Sequence, residues 1–170
     1  MSPVLRRHPV IEVGSLKFTV LNPRQPYFVE TDHDGDNNAM VLRMECNGTS
    51  FLFTSDIRTT AERDLLEDAE MVKLLDVDVL QVGSHGKEVS TSDEFAKAIT
   101  PRLAVFQGVG DNYAAQGRRP GQTVGLDAKK SKSGMIHPLV EDALKAASPN
   151  VMMVNTDEKG TIAVILDGGE

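Results

Sequence analysis

Apolar and polar positions along the chain switch between a two-residue and a three-to-four-residue period, and the switches mark the elements. Val10 to Val13 and Leu16 to Leu21 are short apolar or alternating runs on either side of Gly14-Ser15. That pattern predicts a β-hairpin leading to Asn22-Pro23. Arg24 to Asn38 is polar and reads as a loop. The runs Met40 to Cys46 and Thr49 to Thr54 are separated by Asn47-Gly48. Both central positions of a tight hairpin turn need positive φ, which Asn and Gly tolerate, so this is a second hairpin. Helical spacing then takes over: Leu65, Leu66, Ala69, Val72 and Leu75 predict a helix over Ala61 to Leu75, with Thr59 and Glu62 as its capping box.

Asp78 to Val82 reads as a buried strand ending at Gly83, and Thr91-Ser92-Asp93-Glu94 offers a capping box for a helix to about Ile99. Arg102 to Gln107 is a further apolar strand. Periodicity fails from Gly108 to Met135, where glycine, glutamine and the basic residues Arg118, Arg119, Lys129, Lys130 and Lys132 predominate. Residues 108–136 are therefore expected to be a mobile basic insertion. A helix is predicted from about His137, with Pro138 in its first turn and Leu139, Val140, Ala143, Leu144 and Ala147 as its apolar positions. Val151 to Val154 and Thr161 to Leu166 are expected to close the chain as a hairpin around residues 157–160. Strand and helix alternation of this kind predicts an α/β layered architecture with helices packed on a sheet.

Composition narrows the function classes. With 170 residues and 40% hydrophobic content the chain can bury one core, so residues 1–170 read as a single domain. A net charge of −7 argues against coating nucleic acid through overall charge and leaves only a local basic patch for that role. Cys46 is the only cysteine, which excludes an intrachain disulfide and a CxxC metal site and points to a reduced, cytoplasmic setting. No run approaches the ~18 apolar residues that span a bilayer, so no membrane association is expected.

Two residues stand where chemistry would be built. Asp56 follows the apolar strand that ends in Thr54, a rigid strand tip suited to a metal ligand. His85 follows the next predicted strand, in Val82-Gly83-Ser84-His85-Gly86-Lys87, where the glycines permit a sharp turn. Ligands of open α/β sheets gather at the carboxyl ends of strands, so both tips belong to the edge where a site is expected. An Asp after a strand also begins turns and caps helices, and two ligands do not select a metal. The acidic stretch Glu30 to Asp36, with His33, is a solvated loop or a makeshift oxygen-rich site. An EF-hand does not fit it, since Asn37 and Arg43 stand where Gly and Glu belong.

From about Val13 to Gly168 the order of short signals resembles the C-terminal part of the metallo-β-lactamase-like domain of ComEC-type DNA-uptake proteins. The signals are Leu21-Asn22-Pro23, Asn37-Asn38 before Val41-Leu42-Arg43, Phe51-Leu52-Phe53-Thr54-Ser55-Asp56, Val82-Gly83-Ser84-His85-Gly86, Ser90-Thr91-Ser92 with Glu94-Phe95, Asn112-Tyr113, His137-Pro138, and Thr156-Asp157 with Gly160-Thr161-Ile162. The resemblance implies the C-terminal half of an αβ/βα sandwich, a mixed sheet with helices on one side, and a zinc- or manganese-dependent phosphodiesterase or nuclease. It makes Asp56 a bridging ligand and catalytic residue and His85 a ligand of the second ion. It places Asn37, Asn38 and Lys87 where substrate is bound, and His137 where a phosphate is contacted or a proton donated.

The departures from the family pattern are as specific. Ser55 stands for its glycine, Ser84 for its first histidine and Lys87 for its serine. The His-x-His-x-Asp-His cluster that supplies most of the ligands is missing, and His8, His33, His85 and His137 cannot compose it. The resemblance thus implies a half-domain whose activity needs a missing N-terminal half-domain or a partner chain, with homo-oligomerisation as another way to cover its sheet. Phosphate esters or nucleic acid would be met through the basic insertion. The alternative is a non-catalytic binding or interaction module that keeps the half-fold.

Overall fold

The computed structural model describes residues 9–107 and 136–166, so the expected insertion lies outside the described residues save for Ile136. The described residues form a mixed seven-stranded sheet in the order β1-β2-β3-β4-β5-β6-β7, with helices packed against it. The strands are β1 (Val10–Val13), β2 (Leu16–Asn22), β3 (Val41–Cys46), β4 (Thr49–Phe53), β5 (Val79–Gln81), β6 (Leu103–Phe106) and β7 (Met152–Asn155). Pairing is antiparallel from β1 to β4 and parallel from β4 to β7. Tight turns suffice for the first part: Asn47 and Gly48 both have positive φ, as the Asn-Gly turn requires. Parallel neighbours need crossovers, which the helices provide.

The helices are α1 (Asp34–Asn37), α2 (Thr59–Leu66), α3 (Ala69–Leu75), α4 (Asp93–Ile99), α5 (Pro138–Ala147) and α6 (Thr156–Lys159), with a 3₁₀ turn over Gly83–Gly86. Cross-strand register puts Arg43, Leu52, Leu80, Ala104 and Met153 in one row. Leu52, Leu80 and Ala104 of that row are buried with Leu65 of α2, Leu75 of α3, Phe95 and Ile99 of α4, and Val140 and Leu144 of α5. Helices therefore cover this face over the parallel strands. Next to them the guanidinium of Arg43 donates to the backbone oxygens of Leu74 and Asp76, which ties β3 to the end of α3. Among the described residues no helix is long and apolar enough to cross a membrane.

Five local expectations change. The predicted helix over Ala61 to Leu75 is two helices, because Asp68 accepts from the Glu70 N–H at 3.0 Å and starts α3 afresh. The Thr59 and Glu62 capping box does not form: Arg58 is the N-cap of α2 without a side-chain cap bond, and the Glu62 carboxylate accepts from the Thr91 and Ser92 N–H groups instead. At α4 the cap is Ser92, accepting from Phe95 N–H at 3.4 Å, one residue later than expected. The closing hairpin is absent, since α6 follows β7 directly and residues 161–166 form no strand. The polar stretch before β3 also contains α1, a single turn whose Asp34 carboxylate accepts from the Glu30 and Thr31 N–H groups.

Candidate functional site

The carboxyl ends of β4, β5, β6 and β7 share one edge with the end of β2 and the start of β3. That topology brings Asp56, His85, Gln107, Asn155 and the loop holding Asn37 and Asn38 to the same side of the sheet. The turn after β4 is fastened to β5 by side chains. Gln81 Oε1 accepts from Thr54 N–H at 3.1 Å and Ser55 N–H at 3.0 Å, while the Thr54 hydroxyl donates to the Gln81 backbone oxygen at 2.7 Å.

The two strand tips are then locked to one another through Ser84. Its N–H donates to the Ser55 backbone oxygen at 3.0 Å, and its hydroxyl reaches the backbone oxygens of Asp56 at 3.2 Å and Ile57 at 3.3 Å. Ser55, Ser84, His85 and Gly86 all have positive φ, which lets the backbone reverse within a few residues. Left-handed backbone costs ~1–2 kcal/mol for each residue with a Cβ, so the bonds through Ser84 help to hold the turns. Gly86 is the position where glycine is required. A Cβ there would lie 3.0 Å from Ile136 Cγ1, at a φ of +75°.

In this arrangement His85 Nε2 lies 3.8 Å from Asp56 Oδ1. The other ring nitrogen, Nδ1, is 3.1 Å from the Gln107 backbone oxygen. A carbonyl oxygen only accepts, so Nδ1 carries the proton, and in the neutral ring Nε2 presents its lone pair toward Asp56. The side chains are 37% and 59% exposed, so both open to the solvent edge.

A carboxylate oxygen and an imidazole nitrogen are suitable donors for zinc, and the fixed Nδ1–H is the orientation that metal-bound histidines use. Two donors each ~2.0–2.2 Å from one ion in tetrahedral geometry stand about 3.4 Å apart. The 3.8 Å separation is near that value, and the exposed Asp56 side chain can turn to close the difference. As a pair of ligands Asp56 and His85 fit an ion. As a complete site they do not: among the described residues no group of three or more His, Cys, Asp or Glu could hold a metal ion.

The remaining candidates occupy the same edge in different states. His137 is the N-cap of α5; its N–H donates to the Gly86 backbone oxygen at 2.8 Å and its Nδ1 accepts from Leu139 N–H at 3.4 Å. This places it beside the His85 turn with Nδ1 used as a cap. Asn38 spends its amide on the loop, accepting from Phe28 N–H at 3.0 Å and donating to the Phe28 and Asp34 backbone oxygens at 2.8 Å. Asn37 is buried and donates to Thr31 Oγ1 at 3.1 Å, and its Oδ1 has no partner among the described residues. Lys87 is exposed and follows the His85 turn, its N–H donating to the Ser84 backbone oxygen at 3.1 Å.

The Asp34 and Asp36 carboxylates of the acidic stretch are engaged within the protein. Asp34 is consumed by the Thr31 and Glu30 N–H groups, and its bonds from Thr31 hold its carboxyl below the usual range. Asp36 pairs with Arg58 Nε at 2.7 Å, which clips the loop to the Asp56 turn. Sequence reasoning missed Ser84, Gln81 and Gln107 as the groups that position the pair. The signal for Gln81 was present, a polar residue inside an otherwise apolar strand. Gln107 acts through its backbone oxygen and left no signal.

No family model matches the chain. It is 31% identical over 102 residues to ComE operon protein 3 of Bacillus subtilis (strain 168), a match that takes in 60% of this chain and 12% of that protein. The chain therefore spans a small part of the relative's length, and what is established is sequence similarity to a segment of ComE operon protein 3.

Proposed function

We propose that the chain is part of a metal-dependent hydrolase of the metallo-β-lactamase kind, acting on phosphodiesters as a component of a DNA-uptake or competence protein. The observation that carries the reading is the Asp56–His85 pair, with Nε2 at 3.8 Å from Oδ1 and the tautomer fixed by the Gln107 oxygen. The similarity to ComE operon protein 3 supports it. Asp56 and His85 would hold a zinc or manganese ion, which when bound supplies Lewis-acid activation of water and of the phosphate. His137, set beside Gly86, would contact the phosphate or give a proton to the leaving oxygen through Nε2. Lys87 would offer a cation to the phosphate from the exposed end of the His85 turn, and Asn37 and Asn38 would shape the far wall of the site. The remaining ligands would come from a further segment or a partner chain.

Hydrolysis of bis-(p-nitrophenyl) phosphate with added manganese or zinc tests this. The expected result is metal-dependent turnover, weak for this chain alone, that disappears in Asp56→Ala and in His85→Ala. Turnover that neither substitution lowers would sink the proposal. The absence of a third ligand among the described residues favours a second reading, a binding module that retains the pair without chemistry. Nucleic-acid binding through Arg118, Arg119, Lys129 and Lys130 belongs to either reading. It predicts salt-sensitive affinity that is lost when these residues are neutralised.

A further inference from the structure

Glu62 carries a charged side chain and is 1% exposed, in the helix that begins three residues after Asp56. Burying a carboxylate is expensive unless its oxygens find donors. The donors lie far along the chain: Oε1 accepts from the Thr91 N–H, and Oε2 from the Ser92 N–H at 2.9 Å. Thr91 has φ +57°, and this left-handed turn points two successive N–H groups at one anion. Ser92 is the N-cap of α4, so the carboxylate ties α2 to the start of α4.

Residues 87–91 join the His85 turn to that anchor, and they are fastened at both ends. Toward the turn, Lys87 N–H donates to the Ser84 backbone oxygen at 3.1 Å and Ser90 N–H to the Lys87 backbone oxygen at 3.3 Å. The Ser90 side chain folds back on Gly83, where a Cβ would meet its Oγ at 3.0 Å. Toward α2, Thr59 N–H donates to the Val89 backbone oxygen at 3.1 Å, one turn before Glu62. Ser90 and Thr91 are as buried as Glu62, so this contact lies behind the site and away from the solvent edge on which Asp56 and His85 open.

We infer that Glu62 is a positioning residue of the Asp56–His85 pair: from the helix that follows Asp56 it grips the segment that follows His85, and so fixes the spacing of the two side chains. The inference rests on the reading of that pair as metal ligands. Each carboxylate oxygen takes a different N–H, so the grip needs two acceptors side by side. A glutamine has nearly the same shape but only one acceptor; its NH₂ would face the second N–H, and one of the two bonds would be lost. An apolar residue would fill the space and hold neither. Ser84 joins the two turns at their tips, and Glu62 joins the elements that carry them onward.

The test compares wild type, Glu62→Gln and Leu75→Ala, all as the full chain. Leu75 is buried at the end of α3, near the start of β5 and the sheet edge opposite the site, so its truncation supplies a loss of stability that does not involve the grip. Urea melts establish that each variant is folded and how much stability it has lost. Calorimetric titration with zinc alone should show binding weakened about three- to tenfold in Glu62→Gln, somewhat less than the loss of a group bonded directly to a ligand. Nitrogen NMR of the metal-free His85 ring should show a diminished preference for the proton on Nδ1. Leu75→Ala should change neither readout. A Glu62→Gln variant with the wild-type ring signature and zinc affinity overturns the inference, as does a Leu75→Ala variant that shifts both as far. If wild type takes up no zinc, the metal-ligand reading falls and the ring signature alone decides the role of Glu62.

Discussion

Removing the Ser84 hydroxyl should loosen the Asp56–His85 pair by an amount that can be separated from backbone strain. Ser84 is 6% exposed, sits at φ +46°, and shares its one hydroxyl proton between the backbone oxygens of Asp56 and Ile57. Ser84→Ala keeps the left-handed cost and loses the bond, leaving those acceptors short of a donor at a cost of about 1–2 kcal/mol. Ser84→Gly loses the same bond but relieves about 1 kcal/mol of the positive-φ cost, so its net loss should be about 0–1 kcal/mol. At about 2–4 °C per kcal/mol for a chain of this size, the alanine variant should melt about 2–8 °C below wild type, with the glycine variant between them. Urea melts give the same order as free energies. Nitrogen NMR of the His85 ring supplies the second readout: the neutral ring carries its proton on Nδ1 in wild type, with this tautomer preference diminished in both variants. An alanine variant as stable as wild type, or a glycine variant less stable than the alanine one, would refute the reasoning.

Other expectations follow from the same geometry. Gly86→Ala must hold a methyl at φ +75° and 3.0 Å from Ile136 Cγ1, so it should cost at least ~2 kcal/mol in a urea melt. Leu80→Ala empties a site at the centre of the helix-covered face and should cost about 2–5 kcal/mol in the same assay. Burial pushes the Glu62 carboxyl above its ordinary 4.5, against the pull of the Ser92 and Thr91 N–H groups. The folded state then binds a proton more tightly than the unfolded state, so Glu62 contributes most below pH 4.5 and its contribution falls as pH rises through the raised value. The stability of wild type relative to Glu62→Gln should accordingly decline across that window. A flat difference would contradict the assignment.

Much of the fold was legible because it rests on local chemistry. Asn47-Gly48 dictates a turn of one type, and the apolar rows of β3 and β4 follow from it. Pro138 after His137 marks the start of α5 for an equally local reason, a missing N–H where none is needed. The failures are cases in which a side chain found a distant partner. Glu62 has the spacing of a capping box, yet its carboxylate is recruited by Thr91 and Ser92, about thirty positions further on. Thr161 to Leu166 has the apolar content of a strand, yet Ile162 and Val164 lie across the sheet face and pair with no strand.

The placement of the candidate residues was legible to the same depth. Asp56 and His85 were identified by their place at strand tips, and the sheet does bring them to 3.8 Å. What holds them there is Ser84, which in the sequence stands out only as a departure from a family pattern. Its role depends on three contacts between tips that are remote in the chain. The Asn37 and Asn38 amides show the converse. They lie at the same sheet edge as Asp56 and His85, but the loop itself takes up the Asn38 amide, and Asn37 is buried with a single side-chain bond to Thr31.

The central claim is that Asp56 and His85 form a two-donor half of a metal site. Calorimetric titration of the full chain with zinc measures it most directly. The account predicts one weak ion per chain, with a dissociation constant of about 10–1,000 µM, and its loss in both Asp56→Ala and His85→Ala. An isotherm that shows no binding, or binding that survives both substitutions, would contradict it.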